Sequence, residues 1–103
     1  MTVYWITFRI SEQTISGRTY EDRYMQLTET IRVNCTQWWV EATSFLAFES
    51  AAAMRSLVAE CKKAIAPSHD VFLMREMDRQ IAVICGKNDD QAIFKFMPYL
   101  KKV

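Results

Sequence analysis

The stretch Val3-Tyr-Trp-Ile-Thr-Phe-Arg-Ile10 decides how this chain folds, because it alternates along its whole length. Neighbouring side chains on a strand point to opposite faces of its sheet. Tyr4, Ile6, Phe8 and Ile10 therefore share one face, and Val3, Trp5, Thr7 and Arg9 share the other. Aromatic and β-branched residues dominate, as in a strand packed against a core.

Working outward, Ser11 to Arg18 is polar, contains Gly17 and predicts a loop. Thr19 precedes Asp22 by three positions, a variant of the helix-capping pattern. Tyr20, Tyr24, Leu27 and Ile31 follow on one helical face, with Asn34 as the stop. Trp38 to Ser50 is too long for one strand and predicts a hairpin turning near Glu41-Ala42-Thr43. Met54, Leu57, Val58, Cys61 and Ile65 recur at the spacing of a second amphipathic helix. Ser50 is placed to cap its start, and Pro67 ends it. Val71–Met77 and Gln80–Cys85 predict two strands around an Asp78-Arg79 turn. A terminal helix is expected from Asp89-Asp90 towards Leu100, carrying Ile93, Phe94 and Met97 inward, with Pro98 ending or kinking it.

The order is β-α-β-β-α-β, then a small strand and a short helix. This predicts an α+β fold in one domain: a ferredoxin-like antiparallel sheet with two helices on one face. The second face of such a sheet is polar in a monomer. Here it is not. Trp5 lies on it, one of Trp38 and Trp39 must join it, and the last strands are apolar on both sides. Exposed together, these residues form a patch that demands cover. Self-association through Trp5, Trp38 and Trp39 is the expected solution. The alternative is that the terminal helix folds over them within one chain.

Composition narrows the function. The 103 residues are 50% hydrophobic and 24% charged, with a net charge of +1, so no global field favours nucleic acid. Neither a membrane-length apolar run nor a leader pattern is present, and a cytoplasmic location is expected. Cys35, Cys61 and Cys85 are too far apart for a CxxC motif and predict buried thiols in a reducing compartment. His69 is the only histidine, which excludes sites needing several, and beside Asp70 it predicts a solvated turn. Asp89-Asp90 suits a helix start, and Lys62-Lys63 and Lys101-Lys102 suit solvated ends. No glycine-rich phosphate loop, nucleophile elbow or RNP-type aromatic motif occurs. The candidate reactive groups are Arg9, Ser11 and Glu12, where the first strand ends and where symmetry mates could meet in a dimer.

Tyr4-x-Ile6-x-Phe8, the helix with Tyr24 and Leu27, Trp38-Trp39, the Ser44-led strand, Asp70-Val-Phe-Leu and Tyr99-Leu100-Lys101 together resemble a group of small bacterial proteins. These are labelled SinR-family, a name that does not imply the helix-turn-helix repressor. They are similar in fold to the small CRISPR-associated nucleases and to virulence-associated protein D. The resemblance implies a ferredoxin-like homodimer that in some members cuts or binds nucleic acid. In the nuclease relatives an aspartate ends the first strand and pairs across the dimer to hold a metal such as Mg²⁺. Here Thr7-Phe8-Arg9-Ile10-Ser11-Glu12 has no aspartate, and Arg9 would repel a divalent cation. Glu12 could substitute only with a shifted register. The expected function is therefore a dimeric interaction protein without a cofactor, linked to defence, toxin–antitoxin or mobile elements. A metal-dependent nuclease and a small-ligand sensor are the alternatives.

Overall fold

The computed structural model describes residues 1–103. The alternating opening stretch is strand β1 (Thr2–Arg9), and it lies inside the sheet. Helix α1 (Tyr20–Asn34) follows, then β2 (Gln37–Ala42), β3 (Phe45–Ser50), α2 (Met54–Ala64), β4 (Val71–Glu76), β5 (Ala82–Gly86), the single-turn α3 (Ile93–Phe96) and β6 (Leu100–Lys102). The six strands form one sheet in the order β2-β3-β1-β4-β5-β6. Four pairings are antiparallel, whereas β5 and β6 run parallel.

The even-numbered face of β1 carries the main core. Tyr4, Ile6 and Phe8 pack with Leu46 and Phe48 of β3, Phe72 and Met74 of β4, and Val83 and Cys85 of β5. Leu27 and Ile31 of α1 and Leu57, Val58, Cys61 and Ala64 of α2 close over them, so both long helices lie on this face. Each fully buried aliphatic side chain contributes roughly 1.5–3 kcal/mol of transfer free energy. The Thr19–Asp22 capping box forms as expected, with Asp22 N–H donating to Thr19 Oγ1 and Thr19 N–H to Asp22 Oδ2.

Several expectations are corrected. The sheet is mixed and six-stranded rather than wholly antiparallel, because Pro98 turns the chain out of α3 and the last residues add alongside β5. A parallel neighbour requires a long crossover, and Lys87 to Tyr99 provides it. The terminal helix is consequently one turn, not Asp90 to Leu100. The hairpin turns at Thr43-Ser44, later than Glu41-Ala42-Thr43, since a bulge between Trp39 and Ala42 lengthens β2. Ser50 does not cap α2, whose N-cap is Ala53. Its hydroxyl instead donates to Asn34 O and accepts from Ala52 N–H.

One glycine is dictated by close approach. Gly86 has φ +109°, and a Cβ there would stand 2.0 Å from the carbonyl oxygen of Asp70. That same carbonyl accepts from Lys87 N–H at 2.8 Å. Gly86→Ala is expected to destabilise the fold by about 2–3 kcal/mol, combining the disfavoured φ with the clash. The melting temperature should fall by roughly 10–20 °C in a thermal-unfolding experiment.

Candidate functional site

The odd-numbered face of β1 has no long helix over it. Across it runs a row of paired residues, Trp39 of β2, Ala47 of β3, Trp5 of β1, Arg75 of β4, Ala82 of β5 and Leu100 of β6. The two ends of this row meet different fates. Leu73, Ala82, Ile84 and Leu100 form a second buried cluster, over which Ile93, Phe94, Met97 and Tyr99 fold. The Arg75 guanidinium carbon lies 5.6 Å from the centre of the Tyr99 ring, a cation–π contact that anchors the cover. The C-terminal segment therefore does within one chain part of what a partner would do, as the alternative expectation held. Trp5 is half-buried at the edge of that cover and stacks on Phe45, with centroids 5.8 Å apart.

Beyond Trp5 the cover stops. Trp39 meets Phe45 edge-on at 6.1 Å and remains 51% exposed. Trp39 is thus the member of the pair that shares the Trp5 face. Trp38 pairs with Phe48 and points to the helical side, yet it is 38% exposed, because β2 lies at the sheet edge beyond both helices. Neither indole of the pair enters the core. All six residues of β2 are exposed, including Val40. The other edge of the sheet, β6, is three residues long and carries Lys101 and Lys102.

At the opposite corner of the same face, a cavity of about 380 Å³ opens between the sheet and the C-terminal segment. Val71, Leu73 and Ile84 form its floor, and Ile93 and Phe96 its outer wall. Arg9, Asn88 and Asp90 bring polar groups to it. Arg9 Nη2 donates to Lys87 O at 3.1 Å, and Asp90 Oδ1 accepts from Ala92 N–H at 2.9 Å. Asn88 Nδ2 is buried without a protein acceptor.

Arg9, Ser11 and Glu12 are not brought together as one site. Arg9 lies at the cavity. Ser11 turns into the framework: its N–H donates to Asp70 Oδ1, its carbonyl accepts from Arg23, and its hydroxyl accepts from Gln13 N–H. Glu12 stands exposed on the loop. Within one chain no three His, Cys, Asp or Glu side chains converge. His69 contacts Ser68 Oγ at 2.7 Å, while the neighbouring Asp70 carboxylate is fully buried and directed to Arg23.

That Arg23–Asp70 pair is the principal feature the sequence reading missed. Both side chains are fully buried. Arg23 Nε donates to Asp70 Oδ2 at 2.8 Å, and its remaining N–H groups reach Arg18 O, Ser11 O and Gln13 O. Asp70 also accepts from Ala66 N–H. Burial alone would raise the Asp70 carboxyl, but the hydrogen bonds from Ala66, Arg23 and Ser11 outweigh it and hold it below the usual carboxylate range. The network locks the loop after β1 to α1 and to the start of β4, which fixes Arg9 and the cavity floor. One signal was available: Arg23 falls on the Tyr20, Tyr24, Leu27 and Ile31 stripe, where a solvated arginine has no place.

The cysteines are unpaired. Cys61 and Cys85 are buried, but Cys35 is only partly so, which corrects the expectation of three buried thiols. Burial pushes the Cys61 thiol up to about 12 and raises those of Cys35 and Cys85. No helix is long and apolar enough to cross a membrane. Comparisons with protein-family models, curated proteins and solved structures find no match, so the resemblance to the SinR-type proteins rests on the residues that carry it.

Proposed function

We propose that this chain is a homodimeric, non-catalytic interaction protein of the cytoplasm. In this reading β1-α1-β2-β3-α2-β4 is a ferredoxin-like unit with strand order β2-β3-β1-β4, and β5, α3 and β6 are a C-terminal extension. The observation that carries the reading is strand β2. Its outer backbone groups are unpaired at the sheet edge, and all six side chains, two tryptophans among them, are exposed. A long apolar edge is a template for another strand, which proteins otherwise blunt by shortening or charging it. The β6 edge is three residues long and doubly charged, whereas β2 runs six residues with Glu41 as its one charge.

A second copy is the occupant that satisfies this edge by symmetry, since a two-fold axis sets the same indoles against each other. Regular pairing is confined to Gln37–Trp39 by the bulge that follows, so the indoles rather than a long ladder supply most of the contact. The remaining end of the open face, Trp39 and Phe45, continues the same surface. The resemblance to SinR-type proteins suggests a defence, toxin–antitoxin or mobile-element setting for the dimer.

Light scattering on a size-exclusion column tests the reading. A mass near twice the 12.1 kDa chain at micromolar concentration is the expected result. A monomer persisting to the highest soluble concentration overturns it.

A further inference from the structure

The cavity between the sheet and the C-terminal segment is separate from the β2 edge, and its chemistry is specific. Its volume of about 380 Å³ falls at the small end of ligand pockets, which are mainly apolar with a few placed polar groups. Val71, Leu73 and Phe96 provide the apolar part. The polar part comes from Arg9, Asn88 and Asp90, and Arg9 donates to the carbonyl of Lys87, the residue that precedes Asn88. Asn88 Nδ2 is a buried donor with no protein acceptor, an arrangement that costs about 1–3 kcal/mol until its side chain turns to an acceptor in the cavity. Two donors lining one cavity, one of them cationic, call for an anionic acceptor head. Asp90 on the same rim disfavours a doubly charged phosphate and can accept from an ammonium.

From this juxtaposition we infer that the cavity binds a small monocarboxylate with an apolar body, its carboxylate on Arg9 and Asn88 and its hydrocarbon against Val71, Leu73 and Phe96. An apolar amino acid satisfies the same donors and engages Asp90 as well. The site is complete within one chain and does not depend on the dimer.

The test uses the full-length ¹⁵N-labelled protein with hexanoate, hexanol and norleucine, which share one carbon skeleton. Hexanoate is expected to bind saturably with a Kd of about 1 mM, appropriate to so few atoms. It should shift the Asn88 side-chain amide resonances. Hexanol, lacking the carboxylate, should bind at least about tenfold more weakly. Arg9→Met should weaken hexanoate about tenfold and leave hexanol unchanged. Asn88→Asp, which sets a negative charge against the carboxylate, provides an independent variant. Norleucine binding tighter than hexanoate, with the margin lost in Asp90→Asn, would assign the site to amino acids; a weaker norleucine would assign it to simple acids. The proposal is overturned if no carboxylate binds at about 10 mM, if hexanol equals hexanoate, or if neither Arg9→Met nor Asn88→Asp weakens hexanoate.

Discussion

Replacing Asp70 with alanine is expected to destabilise the fold by about 3–5 kcal/mol, the cost of leaving one charge of a buried pair alone. The substitution strands the Arg23 guanidinium in a site without solvent and removes the acceptor for Ser11 N–H and Ala66 N–H together. In urea the unfolding midpoint should drop by roughly 2 M with little change in slope. Arg23→Met is expected to cost a similar amount, since it strands the carboxylate and three backbone carbonyls. Because the two partners share one network, the double variant should cost less than the sum of the singles. It should not return to the wild-type value, because an apolar replacement leaves those backbone groups without partners.

The same pair makes stability sensitive to acid in a definite direction. The Asp70 carboxyl titrates lower in the folded chain than in the unfolded one, where it lies near ~3.9. Its stabilising contribution is complete above the unfolded value and disappears as pH falls through the folded one. The free-energy gap between wild type and Asp70→Ala should therefore be constant near neutrality and close below about pH 4. A gap that stays constant into strong acid would show that the carboxylate charge is not what the fold depends on.

The second large effect is at the β2 edge. Trp39→Lys is expected to weaken self-association by about 30-fold to 1,000-fold, the range of a central aromatic anchor worth 2–4 kcal/mol. A lysine on an edge strand is itself a device against strand addition. Trp39 is half exposed and its one aromatic contact within its own chain is Phe45, so the folded monomer should lose less than about 1 kcal/mol. Trp5→Lys gives the contrast, because Trp5 is half-buried against the second apolar cluster and its replacement should lower the melting temperature. Sedimentation equilibrium of the two variants separates these roles. Equal dimer affinities for Trp39→Lys and wild type would sink the edge as the interface.

Much of this architecture is a local property of the chain. The alternation Tyr4-Ile6-Phe8 and the stripe Leu57-Val58-Cys61 fix which side of each element is apolar, and the structure buries those residues. The Thr19–Asp22 cap is likewise a short-range hydrogen-bond pattern, legible without any tertiary knowledge. Arg23 was missed because composition assigns an arginine to solvent, whereas its stripe position assigned it to the core. Its partner lies 47 residues away, so nothing near it in sequence shows that the charge is neutralised.

The sequence by itself determined the element order as far as the short third helix, the core face of the sheet and the presence of too much apolar surface for one face. Only the tertiary structure decided how that surplus is divided. Leu100 to Lys102 is too short and too charged to announce a strand, and it becomes one because β5 presents a free edge after Pro98 reverses the chain. That placement draws Ile93, Met97 and Tyr99 over the Leu73, Ala82, Ile84 and Leu100 cluster, with Trp5 at its edge, and leaves Trp39 outside. Periodicity is written in neighbouring residues and survives in any context. The choice between covering a tryptophan from within and exposing it depends on which distant segments reach it, and that is settled only when the chain closes on itself.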